Sequence, residues 1–213
     1  MNLNYTINAL SFTSIGLYVA ESEGVIDLPA PKEYFGVEWP DAHGLVLDLS
    51  RPRYKERVIT LDCAMIATGP ENLILQLNAL NQELRKPGTK RLRINPIGAK
   101  PLVYEVYSSG AVEVKKKWRD GKIWAQLTLN LTEPQPRKLV YTATGTASLI
   151  ITSPSPIALY WGDGTSEYVQ GVSQTKTHTY GGSAGATYYL IVSGEIEAAT
   201  LTNLTNLTLL WDI

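Results

Sequence analysis

Apolar and polar positions alternate along much of the first two-thirds of the chain. GLVLDLS at 44–50, ERVITLDCAMIA at 56–67, LVYEVYSS at 102–109, AVEVKKKW at 111–118 and IWAQLTLNL at 123–131 alternate, or run apolar with β-branched residues. That pattern predicts strands. Ser108-Ser109-Gly110 and Arg119-Asp120-Gly121-Lys122 punctuate the last three segments as turn signals, which predicts successive antiparallel hairpins. One segment has a different period. In TGPENLILQLNALNQELRKPG, Leu73, Leu77, Leu80 and Leu84 recur at helical spacing, Thr68 and Glu71 form a capping box, and Pro70 falls in the first turn. The reading is one helix over about 69–86, stopped by Lys86-Pro87-Gly88. A lone helix in a β domain must bury one face on the sheet, so the leucine stripe is read as core and not as a cofactor or partner groove.

Beyond residue 137 the pattern shortens. KLVYT, ASLIIT, IALYWG, TKTHTY and TYYLIVSG read as brief strands, followed by the near-repeat ATLTNLTNLTLLW, with Leu201, Leu204 and Leu207 at every third position. A three-residue period belongs to neither strand nor helix, and so few units make no solenoid; the tail reads as a final strand with an irregular edge. TEPQPRKL at 132–139 carries two prolines among polar residues and marks a boundary, giving domains at 1–137 and 138–213. Charge changes there too. The first domain holds 17 basic and 15 acidic residues, the second only 2 and 5.

Composition narrows the class. Hydrophobic residues at 44% and charged residues at 18% are those of a globular protein, and no apolar run approaches the ~20 residues of a membrane helix. The first residues lack a basic then apolar leader pattern, so no secretion signal is expected. A net charge of −1 gives no electrostatic case for sequence-specific nucleic acid binding. The one cysteine, Cys63, excludes an intrachain disulfide or a cysteine-built zinc site and reads as a buried inert thiol.

Catalytic candidates are few. There are two histidines, His43 and His178. His43, between Asp41 and Gly44, has the setting of a turn before a strand. Phosphate-loop, HExxH, GxSxG and dinucleotide fingerprints are absent, so no catalytic residue, cofactor or metal is assigned and the chain is not expected to be an enzyme. Two of the scattered acids meeting in a groove would be the signature of a glycoside hydrolase, the least favoured reading.

The densest cluster is ALYWGDGTSEYVQGVSQTKTHTYGG at 158–182. Gly162 and Gly164 flank Asp163, whose carboxylate can bond its own backbone, so Trp161-Gly162-Asp163-Gly164-Thr165 reads as a sharp reversal after a strand. A calcium loop would need oxygen ligands at alternating positions, which the residues after Asp163 do not supply. His178 and Tyr180 share one side of a strand, and a bond from His178 to the turn or to Asp163 would staple the two segments.

WGDGT, HTY about a dozen residues later, and TYYLIVSG resemble the PKD-type β-sandwich over about 139–195. The resemblance implies a small Ig-like sandwich acting as a spacer or interaction module. The first domain is similar to the N-terminal domain of siphophage distal tail proteins and the related tail-tube fold. The features that carry this are the opening SFTSIGLYVAES, a loop with Leu28, Pro29 and Pro31, an Asp41 to Gly44 turn, a strand pair ending in RVITLDCAMIA, then one helix and closing strands. This second resemblance implies a structural protein of a phage or prophage tail. Such a protein is made in the host cytoplasm and forms a ring, commonly a hexamer, that joins the tail tube to the adsorption apparatus and contacts other tail proteins and no membrane. Lys115, Lys116 and Lys117 would then reach a neighbour or line the lumen, or else simply solvate an edge strand. The PKD-like module departs from the galactose-binding-like domain that many distal tail proteins carry.

The fold class expected is therefore mainly β: a tail-tube-like sandwich or barrel with one α-helix, plus a small PKD-like sandwich. The alternative is a glycan-binding or adhesion protein of a bacterial surface, with Trp118, Trp124 or Tyr168 stacking on sugar.

Overall fold

The computed structural model describes residues 3–41, 43–50, 52–95, 101–119, 122–182 and 186–206. The chain is mainly β, with antiparallel sheets and one α-helix among the described residues. Eight strands form the first sheet: β1 (Asn4–Ile7), β2 (Leu10–Ser11), β3 (Leu17–Glu23), β6 (Arg57–Ala67), β7 (Lys90–Asn95), β8 (Leu102–Ser108), β9 (Glu113–Arg119) and β10 (Lys122–Glu133). Their order is β2-β1-β7-β8-β10-β6-β3, with β9 on the free side of β10.

Alternation builds the core. Ile59, Leu61, Cys63 and Met65 of β6 face inward with Leu127, Leu129 and Leu131 of β10, and they share one buried cluster with Ile7, Leu92 and Tyr104 from the other half of the sheet. The two halves therefore fold over a common interior. They are joined where Leu131 and Thr132 of β10 pair with Ser108 and Tyr107 of β8.

The helix α1 (Pro70–Arg85) closes this interior. Leu73 and Leu80 are buried, and Leu77 and Leu84 pack partly against the core, so the leucine stripe is core. The capping box does not form. Gly69 is the N-cap and puts Pro70 at the first helical position; Thr68 lies one residue too early, and its backbone N–H instead donates to Asn72 Oδ1 at 3.3 Å.

One hairpin reading is corrected. β8 does not turn back on β9: it pairs with β7 and with the end of β10, while β9 alone hairpins with β10. The turn at Asp120-Gly121 lies outside the described residues. KRLRIN, whose Leu92 and Ile94 alternate with basic residues, is the central strand β7, which the pattern of long apolar runs had passed over. The run at 44–50 is a strand but not a core one. Its residues 45–47 form β5 (Leu45–Leu47), which pairs only with β4 (Gly36–Glu38) in a separate two-stranded ladder.

Residues 138–206 pair only among themselves. The segments KLVYT, ASLIIT and IALYWG are parts of one bent strand, β11 (Lys138–Tyr160), which turns at Gly145 with φ 69° and shifts register again after Ile151. It pairs with β12 (Ser166–Thr179), β13 (Tyr188–Ser193) and β14 (Ala198–Asn206). Around it Tyr141, Leu149, Ile151, Leu159, Trp161, Leu190 and Val192 make a second core, with Leu201 and Leu204 packed at its margin. Leu207 lies outside the described residues. A small cluster of Val103, Val140 and Ile191 joins the two bodies.

Candidate functional site

The reversal after β11 is held by Asp163. Its Oδ1 accepts hydrogen bonds from the Thr165 backbone N–H at 3.0 Å and the Thr165 hydroxyl at 2.6 Å, while the Trp161 N–H donates to Thr165 O at 3.0 Å. Gly162 and Gly164 adopt φ of 98° and 97°, the left-handed region that favours glycine. The second carboxylate oxygen, Oδ2, accepts from His178 Nε2 at 2.7 Å. Burial works to raise the Asp163 pKa, but the hydrogen bonds from Thr165 and His178 outweigh it and hold the carboxyl below its ordinary value.

Aromatic rings complete the staple. The Trp161 ring stacks on His178 at 4.8 Å, His178 meets Tyr180 edge-on at 4.8 Å, and Tyr180 stacks on Tyr188 at 4.2 Å. The Tyr180 hydroxyl donates to Trp161 O at 2.9 Å. The bond from His178 Nε2 to Asp163 fixes the imidazole ring against the turn. The arrangement ties two strands together. Among the described residues no group of three or more His, Cys, Asp or Glu is placed to hold a metal ion.

The other sequence candidates lie apart from the staple. His43 is exposed at the tip of the β4–β5 hairpin. Lys115, Lys116 and Lys117 are exposed on β9, with Lys117 Nζ 5.1 Å above the Trp124 ring. Tyr168 is 74% exposed on β12, and the side chain of Trp118 lies outside the described residues. An open groove of about 740 Å³ crosses the outer face of the first sheet, where Glu21, Asp62 and Glu113 mix with Lys115, Gln126 and small alanines.

Sequence reasoning missed two features. The first is a buried ion cluster at the junction of the two bodies. Glu133 Oε2 accepts from Arg57 Nε at 3.0 Å, and Glu133 Oε1 pairs with the Lys138 ammonium, which also donates to Val103 O at 2.7 Å. Burial pushes the Glu133 carboxyl up despite both cations, and pushes the Lys138 ammonium down despite Glu133. Beside them Arg91 pairs with Glu105 and donates to Tyr189 O across the junction. TEPQPRKL read only as a linker, because the partner Arg57 lies 76 positions away.

The second is the β4–β5 hairpin. Phe35, Val37, Trp39, Leu45, Val46, Leu47 and Leu49 are all exposed on it. The prolines around it, Pro29, Pro31, Pro40 and Pro52, are the signal that this apolar stretch leaves the sheet.

No family model and no curated protein matches the chain. Among solved structures it is similar to the Dit (gp 19.1) protein of SPP1, described as a paradigm of the hub adsorption apparatus in phages infecting Gram-positive bacteria. The identity is 13%, the match covers 96% of this chain and 94% of that one, and the TM-score is 0.47.

Proposed function

We propose that the chain is a non-enzymatic structural subunit of a phage or prophage tail. In this reading it is a distal tail or hub protein that closes into a hexameric ring between the tail tube and the adsorption apparatus and resides in the virion tail. The observation that carries the reading is the opposite charge of two of the edge strands of the first sheet. Among the described residues β3 and β9 each have a ladder partner on one side only. They differ in sign. β3 presents exposed Glu21 and Glu23, whereas β9 presents exposed Lys115, Lys116 and Lys117.

A long bare edge invites pairing with another chain, and charge is the usual device against it. Charges of opposite sign on the two edges repel like-to-like pairing and favour the acidic edge of one copy beside the basic edge of the next. Such a contact is heterologous, and it closes into a ring when the rotation per copy divides the circle. The chain order of sheet strands, one helix, then closing strands is also that of the tail-tube fold it resembles.

The test is the mass of the purified chain by light scattering across concentrations, with negative-stain images of large species. Closed rings support the reading. A monomer at every concentration, with or without added tail-tube protein, removes it.

A further inference from the structure

We propose that Arg91 is a lock that fixes the angle between the two bodies, seated in a socket made by the Gly162–Thr165 turn and β13. The inference concerns the subunit itself and holds whether or not copies assemble.

Two bodies joined by a short linker move relative to each other unless a large apolar interface holds them. Here the apolar contact is small. Val103 of the body built on the first sheet meets Val140 and Ile191 of the β11–β14 body, with Tyr160 and Tyr189 packed against them. The linker Pro134-Gln135-Pro136-Arg137 fixes φ at its two prolines and leaves their ψ free to turn. Neither feature by itself sets an angle.

Two cations cross the junction in opposite directions. Lys138, the first residue of β11, pairs with Glu133 and donates to Val103 O at 2.7 Å. Arg91 of β7 reaches the other way: its Nε and Nη2 serve Glu105, while Nη1 donates to Tyr189 O and Nη2 to Tyr160 O at 3.4 Å. A guanidinium can do both because its donors leave one plane in different directions. Along β13 the two points of attachment are Ser193, the ladder partner of Lys138, and Tyr189, about 13 Å apart at the strand rise. One point is a pivot. Two points that far apart remove the rotation.

The socket fits the side chain it receives. A Cβ on Gly162 would stand 2.9 Å from Arg91 Nη1 and 2.6 Å from Tyr189 O, so the absent side chain is the space that lets the guanidinium reach the carbonyl. The turn behind it cannot give way, because Asp163 is held by Thr165 and His178 while Trp161 stacks on His178. The staple therefore holds the wall of the socket as well as joining two strands. A buried ion pair adds little stability over an apolar pair of the same size, so stability alone does not account for Arg91 and Glu105, whose side chains are only 13% and 9% exposed at this joint. A fixed orientation does.

The test reads the angle. In a Cys63→Ala chain, spin labels on Gln82→Cys of α1 and Thr175→Cys of β12, both exposed positions, give one distance per chain by electron–electron double resonance, with excess unlabelled chain to suppress distances between copies. This parent should show a single narrow distribution. Arg91→Lys keeps a cation beside Glu105 but replaces the fork by one ammonium, and Arg91→Gln with Glu105→Gln removes both charges together. Each should broaden the distribution about twofold with circular dichroism unchanged, as expected of bodies left on a bare linker. A parent already as broad as the variants overturns the lock, and so does a parental width in either folded variant. Loss of the β11–β14 fold in both variants overturns it too, since Arg91 would then hold the fold and not the angle.

Discussion

Glu133 and Lys138 form an ion pair in which each side chain is 2% exposed, five positions apart in sequence, where the chain passes from one body into the other. The carboxylate also holds Arg57, so one anion serves two buried cations. Removing one partner of a buried pair leaves an uncompensated charge and costs roughly 3–5 kcal/mol. Glu133→Gln strands two cations, whereas Lys138→Met leaves Glu133 still paired with Arg57. Chemical denaturation should therefore rank Glu133→Gln as the more damaging change. The reverse order would show that the Lys138 bond to Val103 O, and not the shared carboxylate, dominates the junction.

The two glycines of GDGT are not equivalent. Both have positive φ, which costs a non-glycine residue about 1–2 kcal/mol. A Cβ on Gly164 meets nothing within 4 Å, but one on Gly162 would stand 2.6 Å from Tyr189 O and 2.9 Å from Arg91 Nη1. Gly164→Ala should cost only the backbone term. Gly162→Ala should cost clearly more, since a strand carbonyl of β13 must move. Equal melting temperatures for the two variants would contradict the close approach.

Asp163 supplies a pH dependence with a definite sign. Its folded pKa lies below the ordinary aspartate value of about 3.9, so its contribution is complete above that value and is lost as pH falls through the lower folded one. Wild type should lose more stability than Asp163→Asn between about pH 5 and pH 2, and the two curves should run parallel above about pH 5. Thermal melts across that range check this. A gap between the curves that does not narrow as pH falls would mean that the carboxylate hydrogen bonds to Thr165 and His178 carry little.

The periodic parts of this fold are legible in the sequence for a physical reason. Leu73 and Leu80 of the helix and the inward row of β6 are fixed by local period, and a period survives in one dimension. The exposure of the β4–β5 hairpin was hidden because LVLDL reads alike whether the strand lies in the core or apart from it. β7 was hidden in another way: Lys90, Arg91 and Arg93 mask the Leu92 and Ile94 alternation until the register with β1 and β8 is known. The Arg57–Glu133–Lys138 cluster depends on a contact between residues far apart in sequence, which no spacing rule reaches.

Cys63 should be inert while the chain is folded. It is buried on β6, and desolvation, with the nearby Asp62 charge, pushes its thiol up to about 12, so little thiolate exists near pH 8. Iodoacetamide at pH 8 should therefore label it only as fast as the protein opens, and at full rate in denaturant. Fast labelling of the native protein, read by intact mass, would show that β6 is opened by local fluctuation.

The charged edges make the sharpest claim about assembly. Lys115→Glu with Lys117→Glu gives β9 the sign of Glu21 and Glu23 on β3, so copies of this variant should repel where wild-type copies attract. Glu21→Lys with Glu23→Lys should fail alone in the same way. Combining all four changes restores opposite signs with the roles of the edges exchanged, and rings should return. Exposed pairs are weak, each worth about 0.2–1 kcal/mol, but a closed ring repeats the contact at every interface. Their effect is screened beyond a Debye length of about 8 Å at physiological salt, so the single-edge variants should recover part of their assembly as ionic strength rises. Sedimentation of the four proteins at low and high salt tests this. Failure of the fourfold variant to assemble, with its subunit folded, would mean that strand shape and not charge selects the partner edge.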